Sequence, residues 1–110
     1  MSDWLRRLDP DQGLLLFADT GSSGLWIFKG EPGGPGAMGT FGVHEADIPA
    51  EFSDHFERWI EMSVDPDVTH DQLDSEGRRL ARALKARVEG TRVVLETSRF
   101  HEYEEISGAG

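Results

Sequence analysis

Apolar residues along this chain fall into two kinds of pattern: short runs near the ends and longer spaced stripes between them. Leu14-Leu15-Leu16-Phe17-Ala18 and Leu25-Trp26-Ile27-Phe28 are runs, separated by Asp19-Thr20-Gly21-Ser22-Ser23-Gly24. Aromatic and branched residues flanking a Gly/Asp/Ser cluster predict a β-hairpin with a loop somewhat longer than the tightest turns. Gly21 and Gly24 supply positive φ where the chain reverses, and Asp19 can cap the turn with its side chain. Phe52, Phe56, Trp59, Ile60 and Ser63 recur at spacings of three and four, which predicts a helix over Pro49–Val64 with one aromatic-rich face. Pro49 suits the first helical position, Asp47 favours the positive helix start, and Asp65-Pro66-Asp67 stops it. Thr69 and Gln72 are spaced as a reciprocal capping pair opening a second helix, with Leu73, Gly77, Leu80, Ala81, Leu84 and Val88 as its inner stripe. Gly77 costs about 1 kcal/mol against alanine in a helix interior, so its place in the stripe predicts close approach of another backbone. Gly90 closes this helix, and Thr91–Ser98, with Val93, Val94, Leu95 and Thr97, reads as a strand.

These elements predict an α+β fold, β-β-α-α-β, in which a small, mainly antiparallel sheet is covered on one face by two helices. The last strand is expected beside one member of the hairpin. The 110 residues suffice for one domain burying roughly two-thirds of its unfolded surface. That domain is expected over residues 1–103, with a short helical turn at Ser2–Leu8 and a Gly/Pro-rich loop over 30–46. The low apolar content beyond His101 predicts a disordered acidic tail over 104–110.

Charge changes this picture from fold to surface. Net charge is −10, and from Glu45 to Glu76 eleven carboxylates face a single base, Arg58. From Gly77 to Arg99 the sign reverses, with Arg78, Arg79, Arg82, Lys85, Arg87, Arg92 and Arg99 against Glu89 and Glu96. One consequence is self-neutralisation between the two halves. The other is a negative surface formed by Asp54, Glu57, Glu61, Asp65 and Asp67, with Asp71 and Asp74 from the second helix start. Such a surface repels nucleic acid and membranes and steers association with a basic protein partner. The chain contains no cysteine, Met1–Arg7 lacks the apolar core of a signal peptide, and no run approaches bilayer length, so a cytoplasmic location is expected.

Motifs for chemistry are sparse. Gly34-Pro35-Gly36-Ala37-Met38-Gly39 has the letters of a dinucleotide fingerprint, but no helix pattern follows it and Pro35 occupies the turn, so no cofactor is expected. His44-Glu45-Ala46-Asp47 with His70-Asp71 offers metal-ligand side chains without the His-Glu-x-x-His spacing, and no metal site is expected. Phe17-Ala18-Asp19-Thr20-Gly21-Ser22 resembles the catalytic loop of the aspartic proteases, which work with two carboxylates sharing one proton. One copy would form a site only in a homodimer. The strongly helical pattern from Pro49 to Glu89 departs from that nearly all-β family.

A second resemblance covers most of Leu14–Leu95. Leu25-Trp26, Trp59 before an acidic Asp-Pro loop, and Leu73-Asp74-Ser75-Glu76-Gly77-Arg78-Arg79-Leu80-Ala81-Arg82-Ala83-Leu84 before a Val-rich strand resemble a group of small acidic bacterial proteins. That group is mostly uncharacterised and includes immunity proteins of polymorphic toxin systems. The resemblance implies a non-catalytic binding protein that neutralises a basic toxin domain. Alternatives are a regulatory or structural interaction module without inhibitory role and, from the first resemblance, a homodimeric aspartic protease built on Asp19-Thr20-Gly21.

Overall fold

The two apolar runs pair as their spacing predicts. In the computed structural model, β1 (Gln12–Leu16) lies antiparallel to β2 (Leu25–Lys29), with Leu14 opposite Ile27 and Leu16 opposite Leu25. The structure describes residues 5, 8–19, 21–30, 41–88 and 90–107. The helical turn expected at Ser2–Leu8, apart from Leu5 and Leu8, lies outside them, as do residues 31–40 of the Gly/Pro-rich loop and 108–110 of the tail. Gly21 and Gly24 take φ of 91° and 88°, a region where a Cβ is strained. The turn is closed by the Asp19 main-chain carbonyl, which accepts from the Ser22 N–H at 3.0 Å and the Ser22 hydroxyl at 2.7 Å. The cap expected of the Asp19 carboxylate is thus supplied by its backbone.

Among the described residues one sheet has the order β3-β2-β1-β4-β5, where β3 is Phe41–Gly42, β4 Arg92–Glu96 and β5 Tyr103–Glu105. The element order is therefore β-β-β-α-α-β-β, with α1 at Ala50–Ser63 and α2 at His70–Arg87. The fold is α+β and β4 lies beside β1 as expected, but the pairing is parallel, with Leu14 opposite Val93 and Leu16 opposite Leu95. The sheet is mixed, not mainly antiparallel. A parallel neighbour needs a crossover of a dozen residues or more, and the two helices provide one.

The disordered tail is corrected for residues 104–107. Tyr103–Glu105 pairs antiparallel with β4, the Ile106 N–H donates to the Val93 carbonyl at 2.8 Å, and Ile106 is buried. Its low apolar content hid a strand because a three-residue edge strand needs only one inward side chain, and charged residues suit an open edge.

One core fills the space between sheet and helices. Leu14, Leu16, Leu25, Val93 and Leu95 meet Phe52, Phe56 and Trp59 of α1 and Leu73, Leu80, Ala81 and Leu84 of α2. The Trp59 indole lies edge-on to Phe56, and its Nε1 donates to the Leu73 carbonyl at 2.9 Å, fastening α1 to the start of α2. Gly77 makes room for a side chain, not for a backbone: a Cβ there would lie 2.8 Å from Trp59 Cζ2 and 3.0 Å from Leu95 Cδ1. The Thr69–Gln72 capping box forms in both directions, at 3.1 and 2.9 Å. Pro49 precedes the first helical residue of α1, and its carbonyl accepts from the Phe52 N–H.

The opposite sheet face carries a second, smaller cluster of Leu15, Phe28 and Val94, with Trp26 packed against it. Gly13 leaves space for the Phe28 ring, over which the Arg92 guanidinium lies at 5.4 Å from the centroid. Arg92 in turn forks onto Glu105 of β5, with its shortest contact at 2.7 Å. Trp26 lies on this other face with its buried Nε1 lacking a hydrogen-bond partner among the described residues.

Candidate functional site

α1 presents its stripe inward because its apolar residues recur at three and four, and the same periodicity turns Asp54, Glu57, Arg58 and Glu61 to solvent. Asp54, Glu57 and Glu61 form no ion pair among the described residues. The α1 flank nearer α2 is different. Glu51 pairs with Arg87 at 3.1 Å, and His55 Nε2 meets Glu76 at 2.8 Å, where Glu76 also holds Arg79.

The remaining members of the expected acidic surface separate by location. Asp65 and Asp67 are exposed in the inter-helix turn, where Asp65 Oδ1 accepts from the Asp67 N–H at 2.9 Å. Asp67 and Asp71 line an open hollow between the end of α1 and the start of α2, with Met62, Val68, Gln72, Ser75, Glu76 and Arg79. Asp74 is not part of that surface. It is buried, and its carboxylate accepts from the Ser98 N–H at 2.8 Å, fixing the turn after β4 to α2. The sequence placed Asp74 by proximity to Asp71, but three residues along a helix moves a side chain close to the Leu73–Gly77 stripe.

Where the hairpin turn leans on α1, a cleft of about 220 Å³ opens. Gly24 sets this contact: a Cβ there would lie 3.1 Å from Ile60 Cδ1, so the turn rides directly on α1. The Ser23 hydroxyl donates to the Val43 carbonyl, tying the turn to the segment that leads into the 3-10 turn at Glu45–Asp47. Ile48, Phe56 and Ile60 give the cleft its apolar part; Ser22, Ser23, Ser53, Glu45, Glu57 and Glu61 give its polar part. Glu57 and Glu61 were legible as outward carboxylates of a helix. Glu45 and the three serines were not singled out as a group, because no local spacing relates a turn near residue 22, a loop near residue 45 and a helix.

The candidate chemistry at the other motifs takes structural roles. His44 Nδ1 accepts from the Ala46 N–H at 3.0 Å as the cap of the 3-10 turn, and His70 Nδ1 lies 2.9 Å from Ser98 Oγ. Among the described residues no three His, Asp or Glu side chains gather as a metal site. Asp19 is exposed at the turn. Arg78 is held above the ordinary guanidinium pKa, chiefly by its hydrogen bonds to Glu104 and further by the fields of Glu104, Asp74 and Asp71. No described helix is long and apolar enough to cross a membrane. None of the protein-family models, curated proteins or solved structures compared with the chain matches it.

Proposed function

We propose that this chain is a non-catalytic acidic binding protein that engages a basic polypeptide through the outer face of α1. Its most specific form is an immunity protein acting in the cytoplasm against a basic toxin domain. The observation that carries the reading is that Asp54, Glu57 and Glu61 stand unpaired among the described residues, beside a helix whose own bases are largely occupied. Self-neutralisation accounts for Glu51, Glu76, Glu104 and Glu105, and among the described residues it does not reach Asp54, Glu57 or Glu61. Glu61 adds to the argument. It stands in the last turn of α1, four residues after Glu57, with no base in that turn. Both the helix dipole and the like-charge spacing disfavour it there. A residue that costs local stability at an exposed position fits a role in association.

The test pairs this protein with the basic C-terminal domain of a secreted toxin. Binding is compared for Glu57→Lys/Glu61→Lys and for Asp9→Lys/Glu102→Lys, which changes total charge equally at distant exposed sites. A complex lost only in the first variant supports the reading, with a steeper loss of association rate at low salt. Equal losses would reduce the interaction to diffuse electrostatics, and an unaffected complex would remove α1 as the surface.

A further inference from the structure

The cleft between the hairpin turn and α1 has a chemistry narrower than the acidic face around it. Its volume, about 220 Å³, is below the roughly 300–1,000 Å³ of sites that enclose a drug-sized ligand. One long side chain fits that scale; a nucleotide does not. Among the described residues three carboxylates from two separate elements line it, and no lysine or arginine does. Its hydroxyls lean the same way. Ser22 and Ser23 commit their protons to the carbonyls of Asp19 and Val43 and accept from the Gly24 and Leu25 N–H groups at 3.2 and 3.4 Å, so what each retains is one further acceptor site. The cleft is therefore rich in acceptors and poor in donors above an apolar floor of Ile48, Phe56 and Ile60.

Resting on the reading above, we propose that this cleft receives a single arginine side chain of the basic partner. A guanidinium carries five donors and no acceptor in a planar fork, which suits acceptors spread over Glu45, Glu57, Glu61 and the serines. Its aliphatic stem covers the apolar floor while the head stays at the carboxylates. A lysine ammonium concentrates its donors at one point and cannot span them.

The test titrates N-acetylargininamide into the 15N-labelled full chain and follows backbone amide shifts. The proposal expects saturable shifts clustered at Ser22, Ser23, Glu45, Ser53 and Ile60, with N-acetyllysinamide at least fivefold weaker and the uncharged N-acetylnorleucinamide inert. Ser53→Leu, which fills the cleft without changing charge, should weaken argininamide at least tenfold. Glu57→Gln/Glu61→Gln, which keeps the shape, should do likewise, and thermal melts confirm that both variants fold. Equal binding of lysinamide overturns the choice of arginine, and unchanged affinity in Ser53→Leu overturns the cleft. Hexa-arginine separates this proposal from the broader one. If it binds wild type and Ser53→Leu alike, the cleft is rejected while the acidic surface stands. If argininamide occupies the cleft and hexa-arginine binds no tighter, the cleft stands and the extended surface is rejected.

Discussion

On α2, Arg78 reaches Glu104 of β5, Arg79 reaches Glu76 and Arg87 reaches Glu51, while on α1 Asp54, Glu57 and Glu61 face outward with no ion-pair partner among the described residues. Inward, the two helices are alike, since both turn a stripe of large side chains to the same sheet core. The difference lies in how each disposes of charge. α2 stands between α1 and the charged edge strand β5, so its long basic side chains find carboxylates on both sides. α1 has such a neighbour on one flank only, and its other flank borders the hairpin turn, which contributes serines and glycines. Pairing thus follows which flank a residue occupies, and the acids of α1 stand unpaired where the bordering turn and Glu45 offer no base among the described residues.

The inward likeness can be broken first, and with the largest effect. Trp59→Ala should destabilise by about 3–5 kcal/mol and Leu84→Ala by about 2–5 kcal/mol, as large-to-small core changes do. Trp59→Ala also leaves the Leu73 carbonyl without its indole donor. Denaturant unfolding measures both, and either variant melting with the wild type would mean that its helix does not seal the core. A smaller change sharpens the point of contact between the helices. Gly77→Val, driven against the Trp59 ring and Leu95, should lose about 1–3 kcal/mol by overpacking. Gly77→Ala should lose less, because alanine recovers about 1 kcal/mol of helix propensity. A stabilised valine variant would show that the contact is slack.

Most of what each helix buries was legible from spacing: every member of the Leu73–Val88 stripe is buried, as are Phe52, Phe56 and Trp59, while Ile60 and Ser63 are half-buried and the buried Asp74 was read as surface. The capping box was equally local and equally legible. Strand direction was not, because alternation in Val93–Leu95 is the same for a parallel or an antiparallel neighbour. Nor was β5, whose Tyr103-Glu104-Glu105 carries no apolar alternation and is held by Arg78, Arg92 and the burial of Ile106. At the site, the outward carboxylates of α1 were legible as a helix face. The cleft beside them was not, because it joins a turn at Ser22–Ser23, a loop at Glu45 and the helix face at Ser53–Glu61, and such groupings arise only from the packing of the turn on α1.

Charge removal distinguishes paired from unpaired acids by sign. Glu76→Gln should lower stability by about 1 kcal/mol, the upper range for partly exposed pairs, since the carboxylate serves both His55 and Arg79 and is only 19% exposed. A double-mutant cycle with Arg79→Ala apportions that loss between its two partners, and no loss at all would mean that the pairs are ornaments of the surface.

The smallest effect is the most discriminating, because it runs in the opposite direction. Glu61 lies in the last turn of α1, where the unsatisfied carbonyls carry partial negative charge, and it follows Glu57 by one full turn. Glu61→Lys removes both repulsions and gives Glu57 a basic neighbour one turn on, in the favourable order of acid before base, gains that outweigh the single unfavourable spacing of three from Arg58. The variant should therefore gain about 0.5 kcal/mol, read as a higher denaturation midpoint at unchanged slope. Added salt should shrink the gain, since exposed charges are screened within about a Debye length of 8–10 Å. The same substitution should weaken hexa-arginine binding several-fold, so that stability and affinity move in opposite directions. A variant that is both more stable and equally competent would leave Glu61 without a functional reason to be acidic. One that is less stable would mean that its carboxylate serves the fold, which would place the unpaired face of α1 on the same footing as the paired face of α2.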